Sequence, residues 1–112
     1  DKSLADDPDN GRFFENYVVS EFIKKYQTFN PSAEFYYYRD SNMNEIDLII
    51  INKGYLHRIE CKQGINYNKS DVKGFEQVEK SKLKIGTSLI ICNTNKIYII
   101  DENVYAIPLS GI

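Results

Sequence analysis

Apolar residues near the start of the chain recur at helical spacing. From Gly11 to about Tyr26, the side chains of Phe14, Val18, Val19, Phe22 and Tyr26 fall on one side at about 100° per residue. Asp9 and Asn10 are N-cap candidates, and Pro31 closes the region. The spacing then changes to that of strands. Phe35–Tyr38 reads as a short aromatic strand, and Arg39–Asn44 as a polar turn. Ile46–Ile51 is almost unbroken Ile and Leu, which predicts a strand buried on both faces. Asn52-Lys53-Gly54 is a hairpin turn signal, and Tyr55–Cys61 is the returning strand. Gly64–Asn68 reads as a loop, after which Ser70 or Asp71 caps a second helix running to about Lys84. Thr87–Cys92 is a buried strand, Asn93-Thr94-Asn95 a turn, and Lys96–Ile100 and Val104–Leu109 are extended pieces. This order predicts an α/β fold, a central mixed β-sheet flanked by helices.

Composition narrows the class. The 112 residues, 42% hydrophobic and 27% charged, suffice for one core and are too few for two. Residues 1–10 are acidic and lack an initiator Met, so they read as a lead-in from a longer parent chain, with the domain proper over 11–112. No apolar run is long enough to span a membrane, and there is no signal-peptide pattern. Cys61 and Cys92 lie within apolar stretches, at a spacing that suits neither a zinc site nor a disulfide scaffold. They read as reduced core thiols of a cytoplasmic protein. The net charge of −2 excludes a domain that grips nucleic acid through overall positive charge. The charge is uneven, however. Residues 1–52 balance at −5, 53–84 at +4 and 85–112 at −1, so only the middle third is suited to an anion.

Three acidic residues interrupt the apolar pattern. Glu15 lies on the apolar arc of the first helix, where an ionised carboxylate needs a partner. Asp47 stands at the head of the run Ile46–Ile51. Glu60 and Lys62 are two apart on the next strand and share a face. The hairpin turn folds the second strand back beside the first, which brings Asp47 near Glu60. Two adjacent carboxylates repel and tend to retain a proton, unless a divalent cation such as Mg²⁺ takes them as hard oxygen ligands. Read singly, each acid is a capping or surface residue, and the Glu-x-Lys pair a solvent-facing charge alternation.

The strings Asn44-Glu45-Ile46-Asp47-Leu48-Ile49 and Ile59-Glu60-Cys61-Lys62-Gln63-Gly64 resemble the core signature of the PD-(D/E)XK (restriction-endonuclease-like) superfamily. The helix with Gly11-Arg12-Phe13-Phe14-Glu15-Asn16 resembles the first helix of that fold. More narrowly, the Glu15-Asn16 pair, Tyr37-x-Arg39-Asp40, the Glu-Ile-Asp and Ile-Glu-x-Lys strands and the Pro108-Leu109 ending are similar to the C-terminal domain of unknown function of bacterial and archaeal AAA-type ATPases. The resemblance spans about residues 11–109. It implies a restriction-endonuclease-like fold, an ATPase domain in the same parent chain, and a Mg²⁺- or Mn²⁺-dependent nuclease. Asp47, Glu60 and the backbone carbonyl of Cys61 are then metal ligands. Lys62 orients or deprotonates the attacking water and offsets charge on the phosphate, and Glu15 completes the acidic cluster. Some nucleases of this superfamily place a Gln four residues before a Tyr on the following helix. Here Gln77 is followed by Ser81, and no such role is assigned to it.

On the second predicted helix Lys73, Gln77, Lys80 and Lys84 cluster opposite Val72, Phe75, Val78 and Leu83. That stripe is either a solvated face or, through Lys73, Lys80 and Lys84, a track for a phosphate backbone. Arg58 shares the strand face of Glu60 and Lys62. It is assigned to a substrate phosphate, with pairing to a nearby carboxylate as its other reading. His57 points to the opposite face. Tyr36, Tyr37 and Tyr38 read as core plus interface, or as a base-stacking surface. Two functions result. One is a metal-dependent phosphodiesterase acting on nucleic acid, DNA foremost. The other is a non-catalytic regulatory module that binds nucleic acid or protein.

Overall fold

The computed structural model describes residues 10–79 and 81–111. Helix α1 spans Asn10–Phe29, longer at its C-terminal end than the apolar pattern requires. Asp9 and the rest of the acidic lead-in lie outside the described residues. Seven strands follow: β1 (Glu34–Arg39), β2 (Glu45–Asn52), β3 (Tyr55–Cys61), β4 (Lys84–Ile85), β5 (Ser88–Cys92), β6 (Tyr98–Asp101) and β7 (Val104–Pro108). They form one mixed sheet in the order β1-β2-β3-β5-β7-β6, with β4 paired to β3. The β1–β2, β2–β3 and β6–β7 pairs are antiparallel. The β3–β4, β3–β5 and β5–β7 pairs are parallel. Thus the chain is α/β as expected.

The hairpin forms as its turn residues dictate. Lys53 and Gly54 both take positive φ, 54° and 83°, as a two-residue turn between right-twisted strands requires. The register pairs Asn52 with Tyr55 and Leu48 with Ile59. Both sheet faces are covered, which explains the unbroken Ile/Leu run of β2. On one face Leu48, Ile50, Ile59, Cys61 and Ile91 pack with Val18 of α1, and Phe14, Phe22 and Tyr26 close the edges. On the other face Ile49, Leu56, Ile90, Cys92, Val104 and Ala106 pack with Val72 and Phe75 of the crossover segment.

That crossover corrects the second predicted helix. Lys69–Val78 is 3-10, with a non-helical kink at Val72. Its Asn68 cap accepts from the Ser70 amide while Asp71 reaches back to the Asn68 amide. Beyond Val78 the chain does not stay helical, and Lys84 belongs to strand β4. The reason is packing. At Gly74 an added Cβ would sit 2.8 Å from the Glu45 carbonyl oxygen, so the crossover lies against the start of β2. Arg58 ties the same segment to β3 from below. The basic residues therefore do not form one helical stripe.

Candidate metal-binding site

Glu15 and Asp47 are far apart in sequence, and matched element lengths bring them together. At one end of the sheet, Asn52 Nδ2 donates to the Tyr26 hydroxyl at 3.1 Å and to Asn30 Oδ1 at 3.0 Å. This pins the C-terminal end of α1 to the hairpin. Going back from that pin, α1 rises ~16 Å from Tyr26 to Glu15 at about 1.5 Å per residue. Strand β2 rises ~17 Å from Asn52 to Asp47 at about 3.3 Å per residue. The two acids thus arrive at the same level and line one cavity of about 440 Å³ with Asn16, Val19, Ser20, Ile23 and Lys24.

A β-bulge aims Asp47. Tyr36 pairs with Ile49 and Tyr38 with Ile46, so Asp47 and Leu48 together stand opposite the single residue Tyr37. The bulge shifts the alternation of β2. Ile46 packs with the crossover face, and Leu48 with the α1 face. Asp47, between them, turns to the cavity beside α1. At the same point β2 and β3 part, and side chains take over their amides. The Asp47 N–H donates to Glu60 Oε1 at 3.0 Å. The Cys61 N–H donates to Asp47 Oδ2 at 2.9 Å. Lys62, just past the end of β3, donates its N–H to the Ile91 carbonyl on the β5 side at 2.9 Å. In a strand the N–H and C=O of one residue point to the same edge. The Cys61 carbonyl is therefore directed to the β2 edge, as its N–H is, toward Asp47.

The electrostatics follow from this split. Burial, and then the Asp47 carboxylate beside it, push the Glu60 carboxyl up to about 8. The Asp47 amide and Lys62 pull the other way, and Glu15 adds to the upward push. Asp47 is also held above the ordinary carboxylate range, by burial first. The Cys61 amide and Lys62 partly offset this. Burial, with the same three carboxylates, drives the Cys61 thiol far up, so it stays a neutral core thiol. Glu15, Asp47, Glu60 and Lys62 therefore share one electrostatic neighbourhood. Among the described residues, no three His, Cys, Asp or Glu side chains form a ready-made metal cage. The donor set still suits a hard cation. It has two partly buried carboxylates and a main-chain carbonyl on one edge, and Mg²⁺ keeps several waters of its own.

The phosphate-binding assignments fare differently. Arg58 is only 3% exposed. Its Nε donates to Ser88 Oγ at 3.0 Å, and one terminal nitrogen donates to the Phe75 carbonyl and to Glu79, each at 3.2 Å. Its guanidinium lies 5.0 Å from the Phe75 ring centroid. The expectation of a phosphate contact at Arg58 is thus corrected, because the side chain is buried, its Nε and one terminal nitrogen donate inside the protein, and it pairs with a carboxylate. Lys73 and Lys84 are exposed. They lie toward opposite ends of the sheet, since Lys84 pairs with Tyr55 at the turn end of β3. Lys80 lies outside the described residues. Sequence reasoning missed Tyr67, whose ring centroid is 5.9 Å from the Lys62 ammonium.

The model of the domain of unknown function DUF4143 matches residues 10–112, which takes in α1, the whole sheet and the carboxylate pair. The chain belongs to the DUF4143 family. No curated protein and no solved structure matches it. Within this DUF4143 domain, no helix is long and apolar enough to cross a membrane, among the described residues.

Proposed function

We propose that this domain is a metal-dependent phosphodiesterase of the PD-(D/E)XK kind, acting on nucleic acid, DNA foremost, as part of a larger ATPase. The observation that carries the reading is the placement of Asp47 and Glu60, both held above their ordinary ionisation range, where β2 and β3 part. Perturbed acids at a sheet split beside a cavity are a functional signature with a physical cause. Asp47, Glu60 and the Cys61 carbonyl are the ligands for Mg²⁺ or Mn²⁺. Such an ion supplies charge stabilisation to the phosphodiester. The chain's own groups do the rest. Lys62 sets a positive charge beside both carboxylates, suited to offsetting charge on a phosphate. Glu15 adds negative charge from α1 and strengthens the demand for a cation.

The second reading, a non-catalytic module that binds nucleic acid or protein, rests on a different observation. Asp47 and Glu60 each accept a backbone amide, so both also serve as links between the parted strands. Cleavage of plasmid and single-stranded DNA with Mn²⁺ separates the two. The enzyme reading expects metal-dependent product from the wild type and about 100-fold less from Glu60→Ala and Lys62→Ala, the scale of losing one charge-stabilising group. Calorimetric titration should show Mn²⁺ binding that Asp47→Ala removes. Cleavage that survives Lys62→Ala unchanged overturns the enzyme reading. Saturable Mn²⁺ binding without cleavage favours the module.

A further inference from the structure

Immediately after Lys62 the chain makes a short loop that is held from every side. The Asn93 side chain donates to the Gln63 carbonyl at 2.6 Å, and the Asn93 N–H donates to the Gly64 carbonyl at 2.9 Å. The Tyr98 hydroxyl donates to the Ile65 carbonyl at 2.7 Å and accepts from the Tyr67 N–H at 2.9 Å. The Gly64 N–H donates to the Tyr67 hydroxyl at 2.6 Å. Tyr67 is therefore fixed at both ends, by its amide and by its hydroxyl. Its ring packs against the core under the crossover. A Cβ at position 64 would meet the Tyr67 hydroxyl, so a larger residue there would displace the tyrosine from this hydrogen bond. The Lys62 ammonium stands 5.9 Å from the centroid of this ring.

An ammonium on a flexible four-carbon stem has much rotamer freedom to lose. A fixed aromatic face within about 6 Å attracts it and restricts where it dwells. The same ammonium is the positive charge felt by both Asp47 and Glu60. We propose that Tyr67 is a positioning residue that, fixed by Gly64 and Tyr98, holds the Lys62 ammonium at the carboxylate pair. This deepens the phosphodiesterase reading and rests on it only for the kinetic consequence.

The test joins a spectroscopic and a kinetic measurement. Reductive ¹³C-methylation keeps the charge of each lysine and gives an NMR signal for each, with the Lys62 signal assigned by Lys62→Arg. The Lys62 signal should be displaced upfield by the Tyr67 ring. It should remain displaced, though less, in Tyr67→Phe, which keeps the aromatic face but loses the hydroxyl held by Gly64, and return to the exposed-lysine position in Tyr67→Leu. In parallel, the kcat of the unmethylated protein should fall about 10- to 100-fold in Tyr67→Leu with little change in KM. Tyr67→Phe should restore kcat to within a few fold of wild type. A Lys62 signal that is unshifted in the wild type, or the same in Tyr67→Leu, overturns the positioning role, as does unchanged kcat in Tyr67→Leu. A wild type that does not cleave overturns the phosphodiesterase reading instead, and the NMR arm still decides the placement of Lys62.

Discussion

Glu60 binds a proton in the folded chain that the unfolded chain releases. Its carboxyl is raised from 4.5 to about 8 by burial and by Asp47. The stability linked to this group is complete below pH 4.5 and is lost as the pH rises through about 8. Asp47, also raised, acts in the same direction. At about 1.4 kcal/mol per unit, the effect is on the order of a few kcal/mol. In the metal-free protein the urea midpoint should therefore fall between pH 5 and pH 9. Glu60→Gln keeps an oxygen for the Asp47 amide and should flatten that fall. An equal slope in wild type and variant would refute the linkage. Added Mn²⁺ should raise the melting temperature more at pH 8 than at pH 6, because its ligands must be deprotonated.

Arg58 invites the opposite expectation from a surface arginine. Arg58→Ala leaves Ser88 and the Phe75 carbonyl without its donors and removes the stack on Phe75. The loss should be about 2–4 kcal/mol in chemical denaturation, the sum of unmade buried hydrogen bonds and lost packing. Nucleic-acid affinity measured below the unfolding transition should not move. The sequence reading assigned this guanidinium to a substrate phosphate because alternation along β3 gives a face, and only the crossover decides what covers that face.

Among the elements, the hairpin was legible because its information is local. An Asn-Lys-Gly turn and two apolar runs fix both register and direction, and from them the Asp47–Glu60 approach. The bulge opposite Tyr37 was not legible, since it is a mismatch between two strands and neither sequence contains it alone. The crossover was misread for a related reason. Its cap residues and apolar spacing suit a helix, yet the close approach of Gly74 to the Glu45 carbonyl holds it as a kinked 3-10 segment. Strand β4 is a two-residue parallel pairing that no local pattern announces. Gly74→Ala tests the reading of the crossover. Its methyl would meet backbone that cannot yield cheaply, so about 1–3 kcal/mol should be lost. The strain falls two residues before Asp47, so Mn²⁺ affinity should weaken as well. A stability gain of the size usual for Gly→Ala in an unstrained helix would refute the close contact.

Across the whole molecule, the sheet separates the basic residues that the sequence put on one stripe. Lys73 adjoins Gly74, and so lies at the end of β2 where the carboxylates are. Lys84 pairs with Tyr55. From there β3 runs ~20 Å to Cys61, the residue before Lys62, at about 3.3 Å per residue. A nucleic-acid backbone seated at the carboxylate pair passes closer to the Lys73 position than to Lys84, which it reaches only if it also runs the length of the sheet. With a net charge of −2, the chain has no general attraction to compensate for a lost contact. Each phosphate contact contributes about 0.9 to the slope of log affinity against log salt. Lys73→Ala should therefore lower that slope by about one for a short oligonucleotide, and Lys84→Ala should leave it unchanged. Equal losses from both would place the backbone along the sheet rather than across its carboxylate end. No loss from Lys73→Ala would remove that residue from the nucleic-acid track.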